Sequence, residues 1–226
     1  MKRAASIEAL IKRARSDFQN VKKAYEASLH EKHIREDLRV SIKNIFENLR
    51  SSLDYMAQDI FEAKCTQTEK SDRLYFPIRF TAMGFKQAII KDFPGLEQSA
   101  SDVCAALEKV QPYNDPWLGQ FNKLNNHNKH QDLVEQARTE LRQVTVSRGG
   151  SSVSWGPVVT FGSGCSVIGV QIDPHTQLPI PNNITTTQVT IWVDFRFAEN
   201  NQPVLPFIEA SIKHVKRLFD NLRDIV

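Results

Sequence analysis

Residues 31–65 contain neither glycine nor proline, and apolar side chains return along them every three or four positions, at Ile34, Leu38, Ile42, Ile45, Leu49, Leu53, Met56 and Ile60. A stripe of that period and length predicts one amphipathic helix of about 30 residues, roughly 45 Å long. A second stripe precedes it, at Ile7, Leu10, Ile11, Ala14, Phe18, Val21, Tyr25 and Leu29, and predicts a helix over 5–29. Neither stripe is stable alone in water. Two helices of similar length joined by the short polar link His30 to His33 should therefore pair antiparallel; one continuous helix is the alternative, since no breaker sits in the link.

The pattern breaks next. The segment TQTEKSD (66–72) is polar, and Phe76-Pro77-Ile78 forces an extended stretch because a residue before proline avoids the helical region. Residues 82–92 and 96–110 read as shorter helices separated by Phe93-Pro94-Gly95. Asp115-Pro116 then has the form of a helix start, with Asp as cap and Pro at the first helical position, for a helix running to about residue 131.

From there the period shortens to two. Residues 140–148 begin to alternate, and 187–197 (TQVTIWVDFRF) place Val189, Ile191, Val193, Phe195 and Phe197 on one face, which predicts a strand with Ile191 and Val193 buried. VVTFG (158–162) and SVIGVQI (166–172) are further strand candidates around a turn at Gly162-Ser163-Gly164. Helical spacing returns at Leu205, Ile208, Ile212, Val215, Phe219, Leu222 and Val226, and this last stripe needs the N-terminal pair as its partner. The expected class is α+β: a long helical hairpin and helical bundle over 1–132, an antiparallel β-meander inserted over 133–200, and a C-terminal helix over 201–226 that packs back on the bundle.

Charge and cysteine content narrow the function classes. The 29 basic and 26 acidic residues leave +3, too little for a nucleic-acid coat or a disordered tail. The basic excess lies in residues 1–50, with 12 Lys/Arg against 7 Asp/Glu, which is either a solvated outer face or a footprint for RNA or another anion. Three isolated cysteines with no CxxC pair fit neither a disulfide framework nor a zinc ribbon and point to a reducing, cytoplasmic setting. No apolar run approaches the ~18 residues of a membrane span, and the N-terminal segment turns polar too soon for a signal peptide. No membrane partner is expected.

The densest polar cluster is LNNHNKHQ (124–131). On a helix Lys123, Asn126, His127 and His130 share one stripe, opposite Trp117, Phe121 and Leu124. That stripe is either a plain solvent face or a site. Metal ligation by His127 and His130 lacks a third ligand with supporting spacing, so no metal and no cofactor is expected. The alternative is phosphate chemistry. His130 then acts as general acid/base, Lys123 neutralises developing charge and Asn126 orients the phosphate or the imidazole, with His127 at the edge. Arg50 and Asp54 stand i, i+4 on the second helix, either as an intrahelical ion pair or as groups facing the 126–130 helix, where Arg50 supplies a guanidinium and Asp54 holds a His tautomer.

A long helical hairpin, short helices and a polar helix ending in His resemble the HEPN superfamily, small helical bundles that are often dimeric ribonucleases of toxin and phage-defence systems. The family motif pairs an Arg and an adjacent polar residue with a following His. Here Lys123 stands seven residues before His130, and Leu124 follows it. The chain also resembles a set of uncharacterised bacterial proteins through Leu53-Asp54-Tyr55, Phe76-Pro77-Ile78, Gln111-Pro112-Tyr113 and Asn126 to His130. The HEPN resemblance implies a nucleic-acid-acting protein, a metal-independent ribonuclease of a bacterial defence or toxin–antitoxin system, with RNA as partner and a homodimer as assembly. The competing expectation is a non-enzymatic interaction or scaffold protein whose sheet binds a partner or ligand.

Overall fold

The computed structural model describes residues 1–27, 36–66, 74–130 and 136–226, with the side chains of 27, 36, 128–130, 136–140, 192 and 193 left aside. The links expected at His30 to His33 and 66–72 lie wholly or almost wholly outside the described residues, as do Leu29, Ile34 and the boundary expected at 132/133. The chain is α+β and divides into two compact units, residues 1–137 with 196–226, and residues 138–195.

The first unit is helical: α1 (Ala4–Ala27), α2 (Glu36–Lys64), α3 (Ala82–Asp92), α4 (Leu96–Ser99), α5 (Ser101–Lys109), α6 (Pro116–His130) and α7 (Val204–Arg223). Arg3, entering α1, donates from its backbone nitrogen and Nη1 to Asp59 and from Nη2 to Glu62 near the far end of α2, so the two long helices run antiparallel. Arg223 at the end of α7 reaches Glu8 at the start of α1, 2.9 Å away, and α7 packs along both long helices. The stripes meet in one core. Ile7, Ile11, Phe18 and Val21 of α1, Ile42, Ile45, Leu49 and Leu53 of α2, and Ile208, Ile212, Val215 and Phe219 of α7 are all buried. Phe46 sits at its centre, 5.5 Å from the Phe121 ring, 5.9 Å from Phe197 and 6.3 Å from Phe207.

The helix expected over 96–110 is split. Ala100 (φ −155°, ψ 69°) leaves helical geometry and separates α4 from α5. Gly95, left-handed at φ +80°, opens α4 where any Cβ would collide with Thr66, so the Phe93-Pro94-Gly95 corner requires glycine at that position. No described helix is long and apolar enough to cross a membrane.

The second unit holds most of the five strands. β1 (Gln136–Arg148) pairs antiparallel with β2 (Ser151–Trp155), from Val144 opposite Trp155 to Arg148 opposite Ser151, across the positive-φ pair Gly149-Gly150. β3 (Ser166–Val167) and β4 (Val170–Gln171) form a small hairpin, and β5 (Thr186–Phe197) lies beside β1 in the order β2-β1-β5. Val144, Val146, Trp155 and Ile172 are its core, edged by Phe161, Val167 and Leu178.

Three expectations need correction here. VVTFG (158–162) forms no strand, and SVIGVQI (166–172) folds back on itself because Ile168 (φ 51°) and Gly169 (φ 77°) make a turn in its middle. Ile191 is 57% exposed and Val189 41%, whereas Phe195 and Phe197 are buried. Alternation assigns residues to one face of a strand, and that face is covered at Phe195 and Phe197 and open at Val189 and Ile191. The side chain of Val193 lies outside the described residues.

A candidate anion-binding cleft

The segment between Leu74 and Arg79 belongs to no helix or strand among the described residues, and some of its backbone groups find side chains instead. Asp54 Oδ1 on α2 accepts the Phe76 amide at 2.9 Å. Gln111, fully buried, accepts the Arg79 amide through Oε1 and donates from Nε2 to the carbonyls of Pro77 and Leu107, each at 2.9 Å. Pro77 has no N–H to satisfy. The Leu-Asp, Phe-Pro-Ile and Gln-Pro motifs, far apart in sequence, therefore meet as one clamp.

The clamp forms one wall of a cleft of about 430 Å³ lined by Arg50 of α2, the segment 75–79, Lys91 and Asp92 of α3, and Asn122 of α6. Arg50 and Asp54 form the expected ion pair, with Nε to Oδ2 at 3.2 Å and Nη2 to Oδ1 at 3.1 Å, the two side chains only 12% and 17% exposed. Arg50 Nη1 is buried with no hydrogen-bond partner among the described residues. Arg79 donates from Nη1 to the Ile78 carbonyl at 3.0 Å and stands 3.8 Å from Asp92. The lining thus carries Arg50, Arg79 and Lys91 against one carboxylate, Asp92.

The polar stripe of α6 divides. Asp115 Oδ1 caps the helix by accepting the Trp117 amide at 3.1 Å, and Trp117, Leu118, Phe121 and Leu124 are buried beneath it. Lys123 and Asn126 are exposed and do not line the cleft, so neither faces Arg50 across it. His127 Nδ1 lies 3.8 Å from Glu199. His130 closes α6, and its side chain lies outside the described residues. The residue of α6 that does reach the cleft is Asn122, one turn before Asn126 on the same face. Arg79 and Lys91 also escaped sequence reasoning. The signal that would have found them is Arg79 immediately after Phe76-Pro77-Ile78, at the end of a motif already singled out.

Burial pushes the Cys65 thiol up to about 11, and burial with Glu97 and Glu108 raises that of Cys104, so neither is an activated nucleophile. Burial, then its hydrogen bond to Glu108 at 3.0 Å, pushes Tyr113 up to about 12. Among the described residues no three His, Cys, Asp or Glu side chains converge as a metal site. The chain matches no family model, no curated protein and no solved structure.

Proposed function

We propose that this protein acts on nucleic acid as a HEPN-like RNA-binding protein, with the Arg50 cleft holding a backbone phosphate. The observation that carries the reading is the Arg50 guanidinium, held by Asp54 in the wall of a cleft also lined by Arg79 and Lys91. Three cations line the cleft against one carboxylate, and a phosphate is the anion that a planar guanidinium fits best. The ion pair with Asp54, itself tied to the Phe76 amide, holds the fork in place before any ligand arrives. On this reading the end of α6 supplies any cleavage chemistry, with His130 moving the proton in a metal-independent attack of the ribose 2′-OH. The HEPN resemblance supplies the setting, a bacterial defence or toxin–antitoxin system.

Fluorescence anisotropy with a labelled single-stranded RNA tests binding. Three phosphate contacts predict that log affinity falls with log salt at a slope of about −2. Arg50→Gln should weaken binding about tenfold or more, and unchanged affinity removes the cleft from the reading. Incubation with total RNA, with and without His130→Ala, tests cleavage: intact RNA with the parent leaves a binding protein only.

A second reading, a non-enzymatic interaction protein, rests on a different observation. The unit spanning 138–195 exposes Val158, Val159, Ile180, Ile184, Val189 and Ile191. Scattered exposed apolar residues are ordinary, but this many on a small sheet unit suit a protein partner. Failure of RNA binding would move the weight to that unit.

A further inference from the structure

A second cleft, of about 620 Å³, opens in the helical unit between α5, the turn before α6, and α7. Its chemistry is independent of the Arg50 cleft. His214 of α7 lies flat on Trp117, ring centroids 4.6 Å apart and planes within 11°. Trp117 is itself fixed, because its Nε1 donates to Ser211 Oγ at 2.8 Å, and that hydroxyl donates to the Phe207 carbonyl. The plane of the imidazole is therefore set by a buried indole. Its rotation within that plane is set by Asp115, whose Oδ2 stands 3.5 Å from His214 Nδ1 while Oδ1 caps α6. An imidazole held on both counts presents Nε2 as a positioned polar atom, the arrangement by which a carboxylate orients a histidine toward a ligand.

The remaining lining matches an anion with an apolar body. Lys109 and Arg217 stand at the rim, exposed, with no hydrogen bond or ion pair among the described residues. Ala105, Ala106, Val110 and Leu218 supply the apolar surface. The volume falls within the range of small-molecule sites. The Asp115 carboxylate would oppose an anion, but it is engaged by His214 and by the positive end of α6.

We propose that this cleft is a binding site for a small organic phosphate. Its phosphate group lies between Lys109 and Arg217 and hydrogen-bonds His214, and its apolar or planar body rests on the alanine and leucine surface. Two free cations match a dianion, and a phosphate monoester is close to that charge at neutral pH. In the ligand-free protein burial lowers the His214 pKa, with Arg217 acting in the same direction and Asp115 against it. An arriving dianion reverses the balance and favours the imidazolium. The charged groups that line the cleft with His214 among the described residues are Asp115 just before α6, Lys109 from α5 and Arg217 from α7, and of these Asp115 and Arg217 act on its titration.

The test is an NMR titration of the full chain with phenyl phosphate, following the His214 ring and the Trp117 indole N–H. Saturable shifts of both are expected at millimolar concentration or below, with the His214 titration midpoint moving up on binding. The K109Q/R217Q double variant, changed only at exposed positions, should bind about tenfold or more weakly, while R50Q should bind as the parent does. Absence of saturation at about 10 mM, a binding energy of under about 3 kcal/mol, overturns the proposal. So does a double variant that binds like the parent, a midpoint that stays or falls, or equal affinity for inorganic phosphate, which marks an adventitious ion only. None of these outcomes bears on RNA binding at Arg50; loss of RNA binding in R50Q leaves this site standing, whereas loss of phenyl phosphate binding in R50Q overturns it.

Discussion

Two apolar stripes of similar regularity met different fates. On α2 the residues from Leu38 to Ile60 that repeat every three or four positions are buried along the whole helix, while on β5 Val189 and Ile191 are exposed and Phe195 and Phe197 are covered. The difference lies in what each element packs against. A helix closes its own backbone hydrogen bonds, so the stripe is the surface left to satisfy, and α1, α6 and α7 all pack against it. A strand is held by its ladder, and its faces are buried only as far as another layer extends.

The sharpest way to break that comparison is at its apolar centre. Leu49→Ala or Leu53→Ala should cost on the order of 2–5 kcal/mol in denaturant unfolding, because each leaves a cavity among residues that cannot collapse into it. A loss below about 0.5 kcal/mol would take the seam out of the core. Next comes the clamp, where a single side chain does the work that β5 assigns to a partner strand. Gln111→Ala strands the Pro77 carbonyl and the Arg79 amide and should cost about 1–3 kcal/mol. It should also loosen the wall of the Arg50 cleft, which RNA affinity measures.

A smaller effect belongs to the polar rim of α2. The hydrogen bond from Arg3, with Lys2 adding to it, holds the Glu62 carboxyl down at about 2, below its ordinary 4.5. A depressed folded value means that the stabilisation is present above about 4.5 and lost as pH falls toward about 2. The pair is partly exposed, so Glu62→Gln should cost less than about 1 kcal/mol at pH 7 and nothing near pH 2, as thermal unfolding at both values checks. The smallest effect is expected on β5. Ile191→Asp should change stability by no more than about 0.5 kcal/mol. A loss of about 2 kcal/mol or more would mean that this face is covered in solution, and concentration-dependent unfolding would then identify a second copy as the cover.

The long helices, the α6 start at Asp115-Pro116, the Arg50–Asp54 pair and the α+β class were legible from residues alone. Each rests on interactions within about four positions of chain, where spacing and backbone preference decide the outcome. The turn at Ile168-Gly169 inside an apolar run, and the split at Ala100, were not legible, because neither carries the proline or paired glycines that mark a break locally.

The sites divide in the same way. Sequence put Lys123, Asn126 and His130 on one stripe of a polar helix, but spacing does not say which part of the helix meets a neighbour. Packing turned Asn122 into the Arg50 cleft and left Lys123 and Asn126 exposed. It also joined Asp54, Phe76 and Gln111 into one clamp, and laid His214 on Trp117, 97 positions away in the chain. Such pairings form only after the apolar stripes have chosen their partners. The sequence by itself determined the long helices and their buried faces, because those follow from local geometry and the cost of exposing apolar surface. Which polar side chains converge on a cleft was decided by the tertiary structure alone, because their neighbours come from elsewhere in the chain and the packing of the core sets where they land.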